Sequence, residues 1–380
     1  MHEHKHNQCR RKVKHRKNVM KLIIFCITVG ISLMFIYYQN LRKEIDARQK
    51  WLETVLTGEK KWILENQGPE GEFYMNGSKA GDVNPYFACM AALGLLAETK
   101  NCPITETEKK AVGRYLDWHT GILLETDGKM GIYRKESGKL IYKEKADSED
   151  GYLGMYLFLM GKYLEKTEST DLPEYWKKGI SLALKKIQSL MQDGITQVSE
   201  ENTTVYLMDN LEVWKGLYEL EHAGLKDVQA IREMRNKLQA QIEKLFWDDA
   251  NQRWRIIENS DLYHQKEFYP DGVAQIYPLI YEFPVKEKKK QKILYEQFTE
   301  RFQWQKLTKK RNGFLWAMTG MAAAQMGDIN NLLEMIRNYE AEYCENRKYP
   351  LYTGEAGWIC MECEKLYSLY ERKIKTGFLV

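Results

Sequence analysis

From about Gln49 to Arg372, apolar residues recur three and four positions apart, the spacing that buries one face of a helix. The pattern breaks into twelve segments. "KWLETVLTGEKKWILENQ" (49–67) is predicted as the first, and "NPYFACMAALGLLAETK" follows with Asn84 as cap and Pro85 at the first helical position. The third, "TETEKKAVGRYLDWHTGILL", opens on a capping box from Thr105 to Glu108. "DSEDGYLGMYLFLMGKYLEKT" is capped by Asp147 or Ser148, and "LPEYWKKGISLALKKIQSLM" is the fifth. "VYLMDNLEVWKGLYELEHAG" stops at Gly224, and a long charged helix follows from Lys226. The eighth begins near Pro270 in "EFYPDGVAQIYPLIYEF", and four more run to Arg372. One stretch departs from this spacing: "GKMGIYRKESGKLIYK" (128–143) alternates between glycine turns and reads as a β-hairpin.

The helices alternate in character. Odd-numbered segments are amphipathic and highly charged, whereas even-numbered ones are rich in Ala, Gly, Met and aromatic residues. Outer helices need a solvated face and inner helices are buried nearly all round. Six hairpins in two layers, with a period of roughly fifty residues, predict an all-α (α/α)6 toroid over residues 49–380. No Pro/Gly/Ser-rich linker divides this body.

The N-terminus has a different pattern. "LIIFCITVGISLMFIYY" (22–38) carries no charge and matches the roughly 17–25 residues that cross a bilayer. Residues 1–21 are strongly basic, with eight Lys/Arg against Glu3 alone. A basic flank stays in the cytoplasm, which predicts a single-pass protein with its body outside and the bilayer as one partner. No small-residue cleavage site follows the apolar run, so a retained anchor is favoured over a signal peptide. Residues 39–48 form a short juxtamembrane segment.

Composition refines this picture. The net charge of the whole chain is +4, so removing a tail of roughly +7 leaves the body slightly acidic, which argues against a nucleic-acid partner. The chain has 10 Trp and 24 Tyr, residues whose flat faces suit either a helical core or a stacked sugar ring. Cys360 and Cys363 form a C-x-x-C within an apolar helical stretch. Without a second ligand pair or a thioredoxin-like context they read as buried thiols. A Cys89–Cys102 disulfide is left open.

In a two-layer toroid the inner helices begin on one face. Five of the six expected inner-helix starts bring an acid, and all six bring an aromatic residue. "GPEGEFYMNG" supplies Glu70, Glu72 and Tyr74, and "ADSEDGY" supplies Asp147 and Asp150. "VYLMDNLEVW" supplies Tyr206, Asp209, Asn210 and Glu212, and "FYPDGVAQ" supplies Tyr269, Asp271 and Gln275. Trp316 stands at the start of the tenth helix, and Glu355 and Trp358 at the twelfth. Each acid alone could be a helix cap or first-turn charge. Together they supply what glycosidic hydrolysis needs: a carboxylic acid to protonate the leaving oxygen and a carboxylate to activate water or attack carbon.

These fragments resemble the six-hairpin glycosidase superfamily and, more distantly, glycoside hydrolase family 8, which contains inverting endoglucanases, chitosanases and xylanases. "PEGEFYM" is similar to that family's acid loop and places Glu70 at the acid position, with Glu72 as its rival. Asp147 and Asp150 resemble its D-x-D segment. "YPDGVAQIYP" is similar to its base segment around Asp271, with Gln275 where the family has Arg. The resemblance implies a hydrolase acting on a polysaccharide or oligosaccharide, with Glu70 as acid and Asp271 as base. It implies Asp147, Asp150, Asp209 and Asn210 on sugar hydroxyls or water, Tyr74, Tyr206, Tyr269, Trp316 and Trp358 lining the cleft, and no metal or organic cofactor. The alternative is a non-catalytic polysaccharide-binding or export component using the same cleft.

Overall fold

The computed structural model describes residues 2–77, 81–136, 139–169, 172–258, 260, 267–307, 311 and 313–376. The chain divides into two compact units, the described parts of Met1–Leu52 with Tyr370–Val380, and Glu53–Leu369. The first helix, α1 (His2–Glu65), runs without a break through the positions where composition divides tail, apolar run and juxtamembrane segment. In the first unit an 18-residue window of α1 has a mean hydropathy of 2.2 and none of it is buried. By length and composition this is a helix that can cross a membrane or serve as a signal sequence. Within the same unit, Arg48 donates to the Tyr370 hydroxyl at 3.1 Å.

The second unit is an all-α toroid. Its inner helices are α2 (Pro85–Leu95), α4 (Glu149–Thr167), α6 (Leu207–His222), α8 (Val273–Ile280), α10 (Thr319–Met326) and α12 (Thr353–Thr376). The C-terminal part of α1 lies in the outer layer with α3 (Glu106–Glu125), α5 (Glu174–Leu190), α7 (Gln229–Phe246), α9 (Lys288–Phe302) and α11 (Ile329–Tyr339). Burial follows the alternation seen in the sequence. In α4, 14 of 19 residues are buried, against 6 of 17 in α5.

Glycines set the spacing of the inner ring. A Cβ on Gly357 of α12 would lie 2.1 Å from the Met90 carbonyl oxygen of α2, so these two helices meet backbone to backbone and close the ring. A Cβ on Gly216 of α6 would lie 2.3 Å from the Gly154 carbonyl oxygen of α4. Neither position has room for a methyl group without shifting a helix.

Three outer helices reach the next inner helix through a β-hairpin. Strands β2 (Gly131–Glu136) and β3 (Lys139–Lys145) link α3 to α4, and β1 (Asp82–Val83) adds to β2. Two short hairpins, β4 (Met191–Gln192) with β5 (Ile195–Thr196) and β6 (Trp247–Asp248) with β7 (Arg253–Trp254), occupy the same place before α6 and α8. Asp193 and Gly194 turn the first of these with φ of 51° and 88°. Such an Asp-Gly pair is a strong short-range hairpin signal, though the helical period on either side masks it.

The capping residues act as their types dictate. The Asn84 side chain accepts from the Tyr86 amide, the Thr105–Glu108 box is complete, and Ser148, not Asp147, caps α4. Cys89 and Cys102 are both free thiols, as are the buried Cys360 and Cys363.

Candidate active site

The starts of all six inner helices meet at one cavity of about 250 Å³. This is slightly below the about 300–1,000 Å³ usual for small-molecule sites, and leaves room for about one sugar ring. α2 contributes Asn84, Tyr86, Phe87 and Met90, and the approach to α4 gives Asp147, Ser148 and Tyr152. α6 gives Met208, Asp209 and Glu212, and α8 with the wide turn before it gives Tyr269 and Tyr277. Phe314, Trp316 and Met318 lead into α10, and Glu355 and Trp358 come from α12.

One wall is acidic. Glu212 is 3% exposed, and its Oε1 accepts from the hydroxyls of Tyr86, Tyr277 (2.6 Å) and Tyr281 (3.3 Å). Burial pushes its carboxyl up to about 8, against the pull of the Tyr277 and Tyr86 donors. Asp209, one turn earlier on the same helix, is raised well above the usual carboxylate range by burial, then by the neighbouring charges of Asp150 and Glu212. Asp147 is exposed at the rim, where β3 passes into α4.

The facing wall is aromatic. Tyr269 and Trp316 pack with ring centroids 4.8 Å apart at 36°, and Phe87 stacks on Phe314 at 5.4 Å and 12°. Glu355 holds this wall in place. Its Oε1 accepts the amides of Leu315 (3.0 Å) and Trp316 (3.1 Å), and its Oε2 accepts the amide of Ala317 (2.8 Å). The grip fixes Trp316 at a φ of 60°, a conformation uncommon for a bulky residue. Burial raises the Glu355 carboxyl to about 7, opposed by the three amides.

Of the residues singled out from sequence, Asp147, Asp209, Glu212, Tyr269, Trp316, Glu355 and Trp358 line the cavity. The others lie elsewhere. Glu70 is exposed on a loop stapled by Glu72, whose carboxylate accepts the Glu70 amide at 3.0 Å and the Tyr74 hydroxyl at 2.8 Å. That loop precedes β1, so α2 begins well downstream of it, at Asn84. Asp271 is buried in the wide turn Phe268–Gly272, and neither it nor Glu70 is among the lining residues.

Asn210 and Gln275 serve as clamps. The Asn210 side chain bonds both the amide (2.8 Å) and the carbonyl (2.9 Å) of Thr196 in β5. Gln275 does the same for Trp254 in β7, at 2.9 Å each way. Each inner helix thereby grips the hairpin that feeds it. Asp150 accepts the Thr196 hydroxyl at 2.7 Å and the Ser148 hydroxyl at 2.8 Å, and sits behind the acidic wall. Tyr206 stands at the N-terminus of α6, bridged to Ile257.

Sequence reasoning missed Tyr86, Phe87, Tyr152, Tyr277 and Phe314. The signal for the first two was the aromatic pair directly after the Asn84–Pro85 start, which marks the first turn of α2. Among the described residues, no group of three or more His, Cys, Asp or Glu is placed to hold a metal ion.

No family model and no curated protein matches this sequence. Solved structures do match its fold. A glycosidase variant in complex with glucose aligns with a TM-score of 0.57 at 12% identity, over 87% of this chain and 98% of that one. A D-mannose isomerase aligns at 0.56 and 12% identity, over 84% and 97%. An α-amylase from Clostridium perfringens aligns at 0.52 and 12% identity, over 83% and 97%. The chain therefore has the six-hairpin toroid fold found in these sugar-processing enzymes.

Proposed function

We propose that this protein is a glycoside hydrolase whose site is the cavity at the inner-helix starts. The observation that carries the reading is the pairing of an acidic wall, where burial raises the proton affinity of Asp209 and Glu212, with an aromatic wall suited to a sugar face. Asp209 acts as the acid, since its raised affinity for the proton lets it protonate a leaving oxygen. Asp147, exposed at the rim, acts as the base or nucleophile. Glu212 positions Tyr86 and Tyr277, and Glu355 positions Trp316. Glu70 and Asp271, the pair suggested by sequence resemblance, give way to these residues because they do not line the cavity. The fold shared with proteins described as a glycosidase and an α-amylase supports the reaction class.

The same proposal covers location. Residues 22–38 anchor the chain in a bilayer, residues 1–21 stay cytoplasmic, and the toroid acts outside on an oligosaccharide or polysaccharide. The test is release of reducing ends by the full-length protein in detergent micelles, across neutral and charged glycans. Activity lost in both Asp209→Asn and Asp147→Asn, with the fold intact, is the expected result. Activity surviving in both overturns the assignment. Binding of glycan without any cleavage moves the protein to the non-catalytic alternative.

A further inference from the structure

Asp150 is a buried acid that the proposed reaction does not use, and it is not among the residues lining the cavity. Three donors are nevertheless trained on it. The Ser148 hydroxyl donates to its Oδ1 at 2.8 Å, the Gly151 amide to the same oxygen at 3.0 Å, and the Thr196 hydroxyl to its Oδ2 at 2.7 Å. Donors favour the charged form of a carboxyl. Burial raises Asp150, and these bonds oppose the rise. Ser148 also hydrogen-bonds Asp209 across the gap between α4 and α6.

A hydroxyl has one hydrogen and two lone pairs. The Ser148 hydrogen goes to Asp150, and one lone pair takes the Gly151 amide at 3.1 Å. What remains for Asp209 is a lone pair, and Asp209 can bond it only by donating a proton of its own. One hydroxyl thus divides two neighbouring acids into a charged one and a protonated one. The charge on Asp150 acts in the same direction, because a like charge nearby disfavours ionisation of Asp209. The other titratable groups facing Asp209 are Asp147, Glu212 and the hydroxyl of Tyr269. Asp147 is exposed, so solvent screens it. Burial pushes Glu212 up to about 8, so below that pH it adds little charge. Against Asp150, β5 and α6 present Thr196 and Asn210, which are uncharged. Among the described residues, no Lys, Arg or His lines the cavity.

We propose that Asp150 is a positioning residue for the reaction: acting through the Ser148 hydroxyl, it keeps on Asp209 the proton that the leaving oxygen receives. This rests on the hydrolase reading of the cavity and adds the device that prepares its acid.

The test uses Asp150→Asn, which removes the charge and keeps the network bonded. The new side-chain oxygen takes the Ser148 hydrogen and the Gly151 amide. The new side-chain amide donates to the Thr196 hydroxyl, whose own hydrogen turns to Asn210 Oδ1, 2.8 Å away. Infrared difference spectroscopy on the full-length protein in detergent micelles follows the protonated-carboxyl bands across pH, and the band lost in Asp209→Asn identifies that group. In Asp150→Asn this band is expected to titrate at least about one pH unit lower. In the reducing-end assay, on the glycan that the unaltered protein cleaves best, the alkaline limb of kcat/KM is expected to move down by the same amount. The rate on that limb then falls about tenfold, with KM held within about twofold. A merely structural loss would lower kcat at every pH and leave the band in place. Ser148→Ala breaks the bridge from the other side and is expected to move the band in the same direction, so it decides the matter where Asp150→Asn does not fold. A band that stays in place or moves up in either folded variant overturns this inference and leaves the hydrolase reading standing. A band that moves down in a protein that cleaves no glycan leaves the placement of the proton standing and overturns the hydrolase reading instead.

Discussion

Two buried glutamates face each other across the ring and are held in opposite ways. Glu212 on α6 takes three tyrosine hydroxyls on a single oxygen, and its other oxygen makes none of these contacts. Glu355 on α12 takes three backbone amides spread over both oxygens. Phenol groups turn on side-chain torsions and can both give and accept, so the Glu212 wall can rearrange as protons move. Backbone amides are fixed by the chain, so Glu355 serves as an anchor. One carboxyl borders the proposed acid, and the other builds the wall opposite.

Substitutions can break this contrast. The largest effect is expected at Asp209, beside Glu212: Asp209→Asn should lower kcat by about 10²–10⁴-fold, with sugar binding largely retained, as measured by steady-state kinetics and calorimetry. Glu355→Ala should come next, on stability. It leaves three buried amides without their acceptor, at a cost of roughly 1–3 kcal/mol for each one left dry, read as a fall in denaturation midpoint. Glu212→Gln keeps an oxygen for the tyrosines and should cost less, about 1 kcal/mol.

The same two positions differ in pH dependence. Glu212 has a folded value raised to about 8 from an ordinary 4.5, so the folded state binds its proton more tightly than the unfolded state. Its contribution is fully present below about 4.5 and is lost as pH rises through about 8. Stability measured by chemical denaturation should therefore fall across that window, and Glu212→Gln should flatten the slope. For Glu355 the window closes earlier, near 7. Removing the aromatic face with Trp316→Ala should weaken sugar binding by about 2–10-fold, in line with about 0.5–1.5 kcal/mol for a ring contact. The smallest effect is expected at Glu70→Gln, which should stay within about 0.5 kcal/mol in stability and leave kcat unchanged.

Much of the architecture was legible because burial imprints itself on composition. α4 and α6 must be apolar all round to sit between neighbours, and α5 and α7 must keep a solvated face, so the two-layer arrangement shows in the sequence. The cavity lining was legible where an inner helix starts close to its acid, as at Asp147, Asp209 and Glu355. Residues outside the lining were singled out where local polarity outweighed register. Glu70 and Glu72 sit in a glycine-rich loop that resembles a helix start, but the start is set by the Asn84 cap. Asn210 and Gln275 are polar groups in apolar helices, a pattern shared by ligand-binding residues and by clamps on neighbouring backbone. Only the positions of Thr196 and Trp254 separate the two, and those positions depend on hairpins two residues long per strand. The cavity aromatics Tyr277 and Phe314 gave no local signal, since a buried aromatic on an inner helix is the ordinary state of such helices.

Because Glu355 grips the main-chain amides of the segment it holds, the loop at 315–317 would keep its course under many replacements at its centre. Position 316 is in that sense an interchangeable tooth in a fixed jaw. The left-handed backbone there sets the terms of exchange: Asn and Gly fit readily, flat rings are tolerated, and β-branched residues are penalised. A small library at this one position, screened against different sugars, would be the shortest route to a changed preference without disturbing the ring beneath it.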